Sequence, residues 1–219
     1  AVGIAKKLYG DDSYTAADYE RSYAITLRMN GYDAEAVEPY SHYVRALTEE
    51  AYGCGKRVPG MVMGCARDEV SLGETLVDYG RMLKDVGRGD EGIAAFDAAL
   101  ARFEPRWAAC ESPQWGTKCT DAREKRREMR GSYAQLLAIN GRLDASLALR
   151  REILDEALAA IDACTGDDCE GPDFRLAGHY RALRATLNEL GRTDDMLALD
   201  EKMIPVFTGS AHYKRGKGG

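Results

Sequence analysis

The chain has 219 residues, 45% hydrophobic and 30% charged, enough apolar material for one elongated array or one large domain. Its net charge of −6 argues against nucleic acid as a main partner, because neutralising phosphates needs a basic face. No window approaches 18 consecutive apolar residues, so no membrane insertion is expected. Abundant Ala, Leu, Arg and Glu with only six Pro point to an all-α chain.

The sequence begins at Ala1 without Met, which fits a mature protein whose leader has been removed. Residues 1–12 read as a half-helix. Ile4 to Gly10 looks like the tail of a second helix lacking its first, and echoes Thr48 to Gly53. Residues 13–208 are predicted to hold four helix pairs. The first helix of each ends at Gly31, Gly87, Gly141 or Gly191, since glycine accepts the left-handed backbone that a helix C-cap uses. Eight residues before each Gly stand Tyr23, Tyr79, Tyr133 and Leu183, and four before it stand Leu27, Leu83, Leu137 and Leu187. The two positions share one helix face.

The second helix of each pair starts two or three residues after the Gly, with Asp90, Asp144 and Asp194 near its N-terminus in three pairs. Five residues after the Gly come Ala36, Gly92, Ser146 and Met196, three of them small enough to let helices approach. Nine after it come Tyr40, Phe96, Arg150 and Asp200, aromatic only in the first two pairs. The last second helix meets Pro205 early and is expected to be shorter than its counterparts. The rival reading, an ordinary helical bundle, does not account for four glycines in one register.

This pattern resembles the tetratricopeptide repeat (TPR) family, most closely at Tyr79, Gly80, Leu83, Gly87, Gly92, Phe96, Ala99 and Pro105. Glu35 to Tyr40 is also similar to the longer kinesin-light-chain-type repeats. The resemblance implies a right-handed α-solenoid of about four antiparallel helix pairs with a concave binding face. It names no ligand.

The six cysteines follow the repeat. Cys54, Cys110 and Cys164 each lie 23 residues after a repeat Gly, and Cys65, Cys119 and Cys169 each lie 22 before the next. Six cysteines allow 15 pairings, but constant offsets predict Cys54–Cys65, Cys110–Cys119 and Cys164–Cys169. Each such bond should contribute roughly 2–3 kcal/mol in the chain-entropy model. The bonds imply an extracellular or periplasmic location. Metal binding is the rival, but there is no C-x-x-C and His42, His179 and His212 lack ligand spacing.

Catalytic motifs are absent: there is no G-x-S-x-G, phosphate-binding loop, dinucleotide glycine pattern or H-E-x-x-H. The chain therefore reads as a non-enzyme without cofactor or metal. The run Lys118, Arg123, Lys125, Arg126, Arg127 and Arg130, interrupted by acids, reads as a salt-bridged exposed helix or else an acidic-partner patch. Eight of twelve tyrosines fall in the first 52 residues. The register assigns Tyr23 and Tyr40 to the core, and Tyr52 to the surplus. Tyr9, Tyr14, Tyr19 and Tyr43 are candidates for an N-terminal interface, and Met203 and Phe207 for its C-terminal counterpart.

A spare half-helix at one end and a truncated helix at the other suggest head-to-tail contact between copies, with residues 209–219 as a tail. The expected function is a secreted structural subunit that assembles with itself into an extracellular filament. The alternative is a periplasmic or cell-surface adaptor that binds a peptide of another protein. A third reading, an enzyme or carbohydrate-binding module on a helical scaffold, would need a deep polar pocket.

Overall fold

The computed structural model describes residues 1–11, 13–57, 62–109, 120–162 and 174–209, excepting the side chains of 54–57, 62–70, 106, 109, 120–122, 174 and 209. Among the described residues every regular element is a helix: α1 (Val2–Tyr9), α2 (Tyr14–Met29), α3 (Asp33–Arg57), α4 (Val62–Asp85), α5 (Gly89–Ala109), α6 (Thr120–Ile139), α7 (Leu143–Asp162), α8 (Phe174–Glu189) and α9 (Thr193–Gly209). The chain divides into two compact units, Ala1–Asn140 and Gly141–Gly219.

The four repeat glycines do what their spacing predicts. Gly31, Gly87, Gly141 and Gly191 have φ of 80°, 78°, 74° and 66°, a region closed to most side chains. At Gly31 the Tyr32 N–H donates to Leu27 O and the Gly31 N–H to Arg28 O, both at 3.0 Å. Arg88 to Leu83 and Arg192 to Leu187 repeat the bond at 2.7 and 2.9 Å. This is the two-bond helix stop that satisfies the last carbonyls, and its acceptor is the repeat leucine itself. Acidic residues occupy the first turns that follow: Asp33, Asp90, Asp144 and Asp194.

In the first unit α2 packs on α3, α3 on α4, α4 on both α5 and α6, and α5 on α6. Gly92 explains how closely α4 and α5 meet: a Cβ there would stand 2.6 Å from the Gly80 Cα. A Cβ on Gly80 itself would strike Leu136 of α6 at 2.3 Å. The aromatic position of one pair then stacks on the first helix of the next. Tyr40 lies parallel to Tyr79 with ring centres 6.0 Å apart, and Phe96 meets Tyr133 at 5.2 Å. Burial pushes both the Tyr40 and Tyr79 phenols above their ordinary pKa.

In the second unit α8 packs against α7 and α9. Leu147 and Leu154 of α7 share a core with Leu176, Leu183 and Leu187 of α8 and with Leu199 and Met203 of α9. At the aromatic position stand polar groups instead. Arg150 donates to Ser146 Oγ at 3.3 Å, and burial lowers its pKa. Asp200 accepts from Tyr180 Oη at 2.6 Å and from Arg184 Nε at 3.0 Å.

Helix α9 runs through Pro205 to Gly209. Pro39 and Pro105 likewise lie inside α3 and α5. At 17 residues α9 is still shorter than α3, α5 and α7, which have 25, 21 and 20.

Candidate interaction surfaces at the two ends of the repeat

The first helix pair is covered on one side only by α1. This eight-residue helix buries a single residue, Ala5, and is stopped by Gly10 at φ 89°. A polar cluster ties it to α2 and, through Glu20, to α3. Lys6 Nζ lies 2.7 Å from Glu20 Oε1, and His42 Nδ1 lies 3.2 Å from Glu20 Oε2. Glu20 is itself buried, so both partners offset the desolvation of its side chain. Beside this cluster a groove of about 570 Å³ opens between α1, α2 and α3, with Tyr23, Leu27, Glu35, Pro39 and His42 in its wall.

Exposure of large apolar side chains follows the same geography. Among the described residues, all eleven that are strongly exposed lie either between Ile4 and Tyr32 or at Leu197 and Ile204 of α9. Isolated exposed apolar residues are ordinary; here they fall near the two ends of the sequence.

Of the residues singled out from sequence, Tyr9, Tyr14 and Tyr19 are exposed. Tyr43 is not: at 5% exposure it lies in the core, 6.1 Å from both Tyr14 and Tyr40 and beneath the Arg21 guanidinium. Tyr23, assigned to the core by its register, is 51% exposed. Met203 is fully buried within the second unit's core. Phe207 is half-buried, its ring 5.8 Å from that of Tyr180. Tyr52 packs edge-on to Phe103 at 5.8 Å and under Arg102. All six cysteines, Lys118 and the tail from 210 onward lie outside the described residues or side chains. Three members of the basic run are salt-bridged, Lys125 to Glu128, Arg126 to Glu104 and Arg127 to Glu124; these three and Arg130 are half-buried rather than exposed as expected, and Arg123 is exposed.

Leu197, Ile204 and the Glu20 cluster carry no signal in the repeat motif. Only a comparison of burial at equivalent positions finds the first two.

Among the described residues no group of His, Cys, Asp and Glu is arranged to hold a metal ion. No helix there is long and apolar enough to cross a membrane.

Two solved structures cover the chain almost completely. Both are of a Podosopora anserina protein assigned as a kinesin light chain with nearly identical TPR-like repeats, one of them a point variant. Each gives a TM-score of 0.56 at 14% identity. One covers 94% of this chain and 81% of that one, the other 95% and 84%. The fold is that of TPR-like repeats. No protein-family model and no curated protein matches the sequence.

Proposed function

We propose that this chain is a non-enzymatic structural subunit that works by protein–protein contact and associates head to tail with copies of itself, as the repeating unit of an extracellular filament. The observation that carries this reading is that, among the described residues, the strongly exposed large apolar side chains fall between Ile4 and Tyr32 at one end of the sequence and on α9 at the other. A heterologous contact between two different faces propagates unless its rotation closes a ring.

The six cysteines at constant distances from the repeat glycines support the same setting. They suit three local disulfides, Cys54–Cys65, Cys110–Cys119 and Cys164–Cys169, and with them an oxidising compartment outside the cytosol. Peptide mapping without reductant should recover these three pairs.

The deciding experiment is negative-stain electron microscopy with light scattering across a concentration series of the unreduced protein. Uniform polymers that lengthen with concentration are expected. Dispersed monomers throughout would overturn the proposal and leave a groove-binding adaptor as the better account.

A further inference from the structure

The second unit contains a joint between neighbouring repeats whose two halves are both left open elsewhere in the chain. In that joint a cleft is walled by Leu183 and Leu187 of α8, by Asp195, Leu199 and Lys202 of α9, and by Leu154 of α7. Counted from the repeat glycines, Leu183 and Leu187 correspond to Tyr23 and Leu27, and Asp195, Leu199 and Lys202 to Glu35, Pro39 and His42. Those five residues wall the groove beside α1. It is the same cleft three repeats earlier, walled by residues of α1 where the later cleft has Leu154 of α7.

The missing half is present on α9. Leu147 and Leu154 of α7 correspond to Leu197 and Ile204. The first two are 3% and 1% exposed, the last two 54% and 59%. In the first unit the same positions hold Val37 and Ile93, then Val44 and Leu100, all buried or half-buried. What earlier repeats cover and α9 does not is therefore the face that receives the next repeat. On α2 the stripe Tyr19, Tyr23, Thr26 is exposed, whereas its counterparts Thr75, Tyr79, Met82 and Met129, Tyr133, Leu136 are buried or half-buried.

We propose that the N-terminal turns of α9, up to Ile204, dock in the α1–α2–α3 groove of a second copy, Ile204 taking the place that Leu154 holds on Leu183 and Leu187. This joint rests on the self-association reading above and specifies its contact. It also differs from its template in one respect. Around the internal cleft Arg151 pairs with Asp195 at 3.2 Å and Asp155 with Lys202 at 3.0 Å. At the joint Arg151 is replaced by Glu201, facing Glu35 in the place of Asp195, and Asp155 is replaced by Pro205. The apolar centre is kept, while the rim brings like charges together. Association should accordingly strengthen as salt screens that rim.

Sedimentation of the full-length, unreduced protein tests the joint, with circular dichroism to confirm folding. Ile204→Asp changes an exposed side chain, so folding holds while association is lost. Glu201→Arg restores the template's pairing and lowers the apparent Kd by about fivefold, as a surface pair is worth under about 1 kcal/mol. Glu35→Arg does the same, and the double variant, with two arginines opposed, returns to weak association. If the protein associates but Ile204→Asp does not weaken it, or the charge variants act independently, this joint is wrong and self-association stands on another contact. If no variant associates at any salt concentration, the joint and the reading beneath it both fall.

Discussion

Tyr40 lies flat on Tyr79 and Phe96 leans on Tyr133 in the first unit, whereas the same position in the second unit holds Arg150, tied to Ser146, and Asp200, tied to Tyr180 and Arg184. The glycine turns are the same in both. A repeat fold thus tolerates two chemistries at its seams, because each seam touches only its neighbours and need not match the next. In the first unit, here the aromatic seam, ring area fills the position. In the second, here the polar seam, the position carries charge and hydrogen bonds beside a shared leucine core, so substitutions at the two should act differently.

The largest expected effect is in the aromatic seam. Phe96 is fully buried, and Phe96→Ala should cost the first unit about 3–5 kcal/mol, read as lost hydrogen-exchange protection in α4–α6 with α8 and α9 unchanged. A loss confined to α5 would show that the ring does not bridge the repeats. Next comes Gly92→Ala, which forces a methyl against the Gly80 backbone and should destabilise by about 1–3 kcal/mol despite alanine's better helix propensity. A more stable variant in urea unfolding would refute the close contact.

The polar seam should respond in the opposite sense. Replacing the half-buried Arg150 by Leu removes a desolvated charge whose partner across the seam, Glu189, is exposed. Arg150→Leu is expected to leave the second unit's stability unchanged or raise it by about 1 kcal/mol; a marked loss would mean that the guanidinium's polar contacts outweigh its desolvation. The smallest effect is pH dependence at Asp200. The Tyr180 hydroxyl, then Arg184, hold its carboxyl below the ordinary range. Its contribution is complete above the unfolded carboxylate pKa of about 4 and is lost as pH falls through the lower folded value. Asp200→Asn should flatten that part of a Tm-against-pH curve, and an unchanged slope would exclude the group.

The helix stops were legible because a positive φ restricts the residue type so strongly that four glycines at one spacing announce four turns. Burial was less so. Tyr23 holds the same register as Tyr79 and Tyr133 yet is exposed, because burial at that position comes from a preceding second helix, and α1 is too short to supply it. Tyr43 looked surplus to packing, but its ring fills the space between Tyr14 and Tyr40. Glu20 gave no sign: its partners stand on two other helices, 14 residues before it and 22 after. Helix α9 passes Pro205 because a lost N–H and a ring clash kink a helix without always ending it.

Trp107 is 2% exposed and stacks on Phe103 with ring centres 5.6 Å apart. The second unit, Gly141–Gly219, contains no tryptophan. The protein therefore carries a natural optical label on one unit and none on the other. Indole emission should redden when the aromatic seam opens and stay silent while the second unit melts, so a gap between fluorescence and circular-dichroism transitions would time the two events separately.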